Sequence, residues 1–156
     1  LLSILILILQ TGIVASGGNN GGVLSNCELY DTAVCQWSPI APLNIGRHWH
    51  AAATHDYTVY VFGGSDGNTL RAEIEQYDAD ANKLTLLKAR LTQAQYKLAA
   101  ACVHSRIYIL GGWTDDKKGT GAMDSFDAVK QECRPVSKLP QYRRGHAVAC
   151  YSVSDS

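Results

Sequence analysis

Three stretches of this sequence set a cation or an amide beside aromatic rings: Arg47, His48 and Trp49; Gln95, Tyr96 and Lys97; and Gln141, Tyr142, Arg143 and Arg144. This is the composition of a protein-binding surface, because rings bury a large area and arginine adds directional donors. Ser65 and Trp113, each just past a glycine pair, extend the set. Two of the three stretches carry arginine, which favours an acidic or phosphorylated peptide through bidentate contacts. Asp66, Asp115 and Asp116 dilute that preference. A structural reading competes: Arg47 and Arg143 recur because they pair with acceptors between repeated units, and Trp49 serves equally well in a core.

Other reactive side chains lead nowhere so specific. His48 and His50 stand two apart, so on a strand they share a face, and His146 repeats the place of His50. No carboxylate or cysteine completes a ligand set at a diagnostic spacing, so neither a metal nor a cofactor is expected. The five cysteines, Cys27, Cys35, Cys102, Cys133 and Cys150, contain no CxxC pair. Cys102 and Cys150 read as small core residues, and the hairpin between Cys27 and Cys35 does not set those two opposite for a disulfide. Residues 17–22, GGNNGG, have the composition of a phosphate cradle but no helix behind them. With no GxSxG, GxxxxGK[ST] or HExxH pattern either, an enzyme is not expected.

The whole-chain numbers narrow the partner class. Fourteen basic residues balance fourteen acidic ones over 156 residues, which removes the electrostatic footprint of a nucleic-acid binder. With 46% hydrophobic and 18% charged residues, the chain has a sizeable core to bury and is neither disordered nor a membrane bundle. An odd number of cysteines and no Asn-x-Ser/Thr acceptor favour a reducing, cytoplasmic setting. The first residue is Leu, which suggests a start inside a longer protein or after a removed segment. Residues 1–9, LLSILILIL, are too short to span a bilayer, which needs about 20 in a helix. Because no Lys or Arg precedes Arg47, they read as a buried strand rather than a leader remnant.

The elements that must position these residues follow from a repeat. Residues 59–64 read VYVFGG, 107–112 IYILGG and 13–18 IVASGG, and about fourteen residues past each glycine pair comes Tyr30-Asp31, Tyr77-Asp78 or Phe126-Asp127. Ala51-Ala52-Ala53, Ala99-Ala100-Ala101 and Ala147-Val148-Ala149 follow one another at 48 positions, as do Leu43, Leu91 and Leu139, and Arg47, Gln95 and Arg143. A fixed period of this size marks a repeat architecture. The middle unit parses into strands a at 50–54, b at 58–62, c at 72–77 and d at 83–87, separated by turn residues. Strands b are apolar almost throughout, as when both faces of a sheet pack on neighbours.

Four-stranded antiparallel units repeated radially are the blades of a β-propeller. The glycine pair, the aromatic-Asp and Trp37 beyond it resemble the kelch repeat, over nearly the whole chain; Leu84 and Cys133 stand where a second and third Trp would be. The resemblance implies an all-β fold: a partial kelch-type propeller of about three four-stranded antiparallel blades at 1–41, 47–88 and 97–137, plus one extra strand at 145–153 that starts a further blade. The first strand a would be 4–7. Propellers close with 4 to 8 blades, so the exposed flanks call for further kelch blades or a second copy to complete the ring. By resemblance to kelch-like adaptors, which join BTB and BACK portions to a six-bladed propeller, the function implied is non-catalytic presentation of a protein or peptide substrate to a cullin-3 ubiquitin ligase. Its site would be Arg47, His48, Trp49, Ser65, Gln95, Tyr96, Trp113, Tyr142, Arg143 and Arg144 on the rim loops. An actin-binding or cytoskeletal scaffold, and a fragment of a secreted oxidase-like kelch propeller, are the alternatives. No nucleic-acid or membrane partner is expected.

Overall fold

The structure is a computed structural model that describes residues 12–115 and 118–151. Turn residues punctuate the described residues into eleven strands and no helix. β1 (Gly12–Ser16), β2 (Cys27–Asp31) and β3 (Gln36–Ile40) form one antiparallel sheet in that order. β4 (Ala51–His55), β5 (Thr58–Phe62), β6 (Glu73–Asp78) and β7 (Lys83–Arg90) form the second. β8 (Ala99–Val103), β9 (Arg106–Leu110), β10 (Ala122–Asp127) and β11 (Glu132–Lys138) form the third, each strand pairing with its neighbours in sequence. These are successive blades of a partial propeller. β4 and β8, the alanine-rich first strands, fall within one residue of the positions the 48-residue displacement assigns them and stand side by side between blades.

Two expectations end differently. The first strand a, at 4–7, lies outside the described residues. The extra strand expected at 145–153 shows no strand over its described part, residues 145–151, and residues 152–153 lie outside the described residues. A strand needs a paired edge, and β4 and β8 find theirs on β5 and β9. No such edge stands beside Ala147 to Cys150 among the described residues.

Blade faces pack on one another as alternation dictates. Cys27 and Leu43 of the first blade meet Val61, Tyr77 and Leu84 of the second in one buried cluster, with Val14, Ile40 and Val59 against it. Tyr60, Phe62, Ile74 and Leu91 of the second meet Ile107, Ile109 and Phe126 of the third in the other. Registers repeat as well: Tyr30 faces Trp37, Tyr77 faces Leu84 and Phe126 faces Cys133 across equivalent hairpins. So the leucine and cysteine do occupy the tryptophan's place.

The glycine doublets fall in matching surroundings. The N–H of Gly18 donates to Arg47 O at 2.8 Å, that of Gly64 to Gln95 O at 2.9 Å, and that of Gly112 to Arg143 O at 2.8 Å. A Cβ on Gly17, Gly63 or Gly111 would sit 2.4 to 2.7 Å from those same three carbonyls, and all six glycines have φ between 57° and 110°. Positive φ and close backbone approach both demand glycine.

Candidate functional site

The loops that carry the candidate residues run from the last strand of one blade to the first strand of the next. Each is fastened by the glycine bonds above and by a second set running along the ring. Lys97 N–H donates to Trp49 O and Gly145 N–H to Lys97 O, both at 2.8 Å. Trp49, Lys97 and Gly145 are equivalent residues, and all three take left-handed backbone, with φ of 54°, 56° and 59°. Glycine adopts that conformation freely, whereas Trp49 and Lys97 hold it at a cost.

Loop residues divide between the interior and the surface. Arg47 is fully buried: its Nη2 meets Glu75 Oε1 at 2.6 Å, Nη1 donates to Gly63 O and Glu73 O, and Nε donates to Ile45 O. Glu75 also accepts Asn44 N–H and Nδ2, at 2.7 and 2.8 Å, and Ile45 N–H at 3.3 Å. Every donor in that set comes from the loop that follows the first blade, so the pair bolts the first blade to the second. Burial pulls the Arg47 guanidinium below its ordinary pKa, against the opposing pull of Glu75. Gln95, its equivalent, is also buried, and Thr92 donates to Asp124 through N–H and Oγ1 at 2.9 and 2.7 Å.

Four candidates are therefore corrected. Arg47 and Gln95 have no surface to offer a partner, because the blade junction encloses both. His48 and Ser65 are buried and tied to each other by two backbone bonds of 2.9 and 3.0 Å. The His48 ring lies against Trp49, centroids 4.1 Å apart. It underpins the rim and does not form it.

The other six stay at the surface or partly so, and most lie in one band. Trp49, 52% exposed, faces Tyr96 with ring centroids 5.3 Å apart. Tyr96 exchanges two backbone bonds with Trp113, at 3.1 and 2.8 Å. Arg144 places its guanidinium carbon 3.4 Å from the Trp113 ring centroid. Tyr142, 73% exposed, has its ring against Gly119, where a Cβ would come within 2.7 Å. Arg143 is exposed. Lys97 belongs with this band though it was not among the ten: its Nζ stands 4.5 Å over Trp49 and 5.6 Å over Tyr96. Its displacement of 48 from Trp49 was the signal available for it.

The band is cationic as well as aromatic. Among the described residues Lys97, Arg143 and Arg144 enter no ion pair. Asp66 does not offset them: Asn68 and Thr69 N–H groups and the Arg71 guanidinium hold it, and those backbone bonds push its pKa well down. Cation–π contact fixes where Lys97 and Arg144 stand.

The histidines and cysteines disperse. His50 Nε2 bonds Ser16 Oγ at 3.1 Å, away from His48, and among the described residues no group of three His, Cys, Asp or Glu side chains could hold a metal ion. All five cysteines are free thiols. Cys102 is half-buried, but Cys150 is exposed, because the strand that would have buried it is not formed. Burial and the adjacent Asp124 carboxylate raise Cys133 to about 12, so it is no nucleophile.

A family model described as the Kelch motif matches residues 46–83. Kelch-like protein 36 of Bos taurus is 27% identical over 139 residues, covering 83% of this chain and 22% of that protein. Kelch-like protein 25 of Xenopus tropicalis is 24% identical, covering 88% of this chain and 25% of that protein. The chain thus spans about a quarter of the length of these relatives. The solved structure of YjhT superposes with a TM-score of 0.70 at 16% identity, over 85% of this chain and 52% of that one.

Proposed function

For this chain of kelch repeats, a partial kelch propeller, we propose that the rim band of Trp49, Tyr96, Lys97, Trp113, Tyr142 and Arg144 grips an extended segment of another protein. The observation that carries the reading is the continuity of the band: two indole rings, each under a fixed cation, joined by Tyr96. Fixed aromatic and arginine side chains on a rigid scaffold lose little freedom on binding, which is what hot spots require. The strained backbone at Trp49 fits the same role, because strain persists where the surrounding structure holds a side chain in a useful place. The uncompensated cations favour a segment with carboxylates or phosphates.

The role is non-catalytic. The likeness to Kelch-like proteins supports substrate presentation to a cullin-3 ubiquitin ligase, in the cytoplasm, as the finer form of this reading. Among the described residues no helix is long and apolar enough to cross a membrane. A photo-crosslinking side chain placed at Tyr96 tests the rim, with the same group at Val34, on the outer hairpin of the first blade, as control. Cross-linking from Tyr96 to one discrete protein of a cell extract, absent from Val34, is expected; equal labelling from both positions would refute the rim as the site.

A further inference from the structure

The two blade junctions inside this chain treat a buried carboxylate in different ways. Between the first and second blades Glu75 meets the Arg47 guanidinium, so charge cancels charge. Between the second and third the same place on the sheet belongs to Asp124: Glu75 lies opposite Val61 in β5, and Asp124 lies opposite Ile109 in β9, 48 residues on. Asp124 is only 2% exposed, yet among the described residues it enters no ion pair. Thr92 donates to it through N–H and Oγ1 at 2.9 and 2.7 Å, and the Cys133 thiol lies at 3.8 Å. All of these donors are neutral. A carboxylate enclosed without a counter-charge is costly.

The arginine's place is taken by Gln95, also 2% exposed. Its Oε1 is buried and has no hydrogen-bond partner. The first junction shows which oxygens surround that position, because Arg47 Nη1 donates to Gly63 O at 3.0 Å and Glu73 O at 3.2 Å while Nη2 donates to Glu75. Gly111 and Ala122 repeat that pair of carbonyls, since Gly111 N–H bonds Ala122 O as Gly63 N–H bonds Glu73 O. Acceptors that surround a guanidinium in one junction therefore recur in the other around an amide: Gly111 O, Ala122 O, the Asp124 carboxylate and Gln95 Oε1.

Side-chain size points the same way. Gln95 for Arg47, Asp124 for Glu75 and Cys133 for Leu84 are each shorter than their counterparts, so less side chain stands in the middle of this junction. Turning the Gln95 carboxamide over would offer the carbonyls a donor but would bring Asp124 no positive charge. All of these residues fall between positions 92 and 133, inside the described chain.

We propose that the second junction binds one monovalent alkali cation, held by the Asp124 carboxylate, Gln95 Oε1 and the carbonyls of Gly111 and Ala122, in the role that the Arg47 guanidinium has in the first. Charge sets the valence. One carboxylate balances one positive charge, whereas calcium takes about 6 to 8 oxygens, commonly with several carboxylates among them. Oxygen ligands alone suit a hard cation rather than zinc or copper. That no cluster of His, Cys, Asp and Glu occurs among the described residues does not bear on such a site, because its ligands other than Asp124 are neutral carbonyl and amide oxygens.

Thermal unfolding in KCl, in NaCl and in tetramethylammonium chloride at one ionic strength tests the site. A tenfold excess of the bound ion over its dissociation constant should raise the midpoint by about 3 to 6 °C above the tetramethylammonium value, and the more effective alkali salt identifies the ion. Asp124→Asn keeps an acceptor for Thr92 N–H and removes the charge, so its midpoint should not respond. Gln95→Arg supplies the positive charge from the chain itself; it should melt above the unmodified chain in tetramethylammonium chloride and lose the response as well. If Asp124→Asn fails to fold, Gln95→Arg alone decides. Equal midpoints in all three salts, which a water or an inverted carboxamide at Gln95 would give, or a response that either folded variant retains, would overturn the proposal.

Discussion

Arg47 and Glu75 meet at 2.6 Å with both side chains fully buried, and between them they take up six further bonds, five of which tie one blade to the next. A buried pair of this kind is a weak net stabiliser, but removing one partner strands a charge without solvent. Arg47→Ala is therefore expected to lower stability by about 3 to 5 kcal/mol. Replacing both partners, Arg47→Met with Glu75→Leu, should recover much of that loss. Urea unfolding midpoints of the two variants check this; equal losses would show that the arginine does not depend on its carboxylate.

A glycine prediction separates crowding from mere glycine content. A Cβ on Gly64 would lie 2.8 Å from His48 O and 2.9 Å from His50 Cβ, on a backbone with φ of 95°. Gly64→Val should leave the chain unfolded, since neither the carbonyl nor the conformation yields to a β-branched side chain. Gly22, with nothing within 4 Å and no positive φ, should accept Ala with a change under about 0.5 kcal/mol or a slight gain. Circular dichroism melts distinguish the outcomes.

His50 sets a pH dependence. Burial first, and the Arg47 charge second, hold its pKa near 4 against an ordinary 6.5. The unfolded chain therefore takes up a proton that the folded one refuses between those values. The stability involved is whole above about pH 6.5, falls as pH drops toward 4, and amounts to about 3 kcal/mol at most. Leu98 fills the equivalent place in the next blade, so His50→Leu should fold and flatten that slope. Chemical denaturation at a series of pH values reads it directly.

How far the sequence could be read follows from what repetition does and does not encode. Displacements of 48 located strands b and the first strands of later blades, because each copy must present the same apolar edge to its neighbour. The glycine doublets were legible for a similar reason, as only glycine tolerates a carbonyl at 2.4 to 2.7 Å from its Cβ position. Facing was not legible. Arg47 and Trp49 stand two apart in one loop and look equally suited to a surface, yet one is enclosed and the other is 52% exposed. What separates them is Glu75, twenty-eight residues away on strand β6, and no local spacing announces a partner in another blade. The unformed strand after Gly145 has the same root: its residues match β4 and β8, but a strand is a property of two edges.

The central claim is that these loops divide into inward struts and an outward grip, and the most direct measurement of it pairs partner capture with thermal melting for Trp49→Ala/Arg144→Ala and for Arg47→Ala. Losing two hot-spot side chains should weaken capture by about tenfold or more while the rim double variant keeps its melting temperature within a few degrees. Arg47→Ala should instead melt well below the unmodified chain, and lose capture only where it has unfolded. Undiminished capture by the double variant, or a stable Arg47→Ala chain that alone fails to bind, would contradict the division.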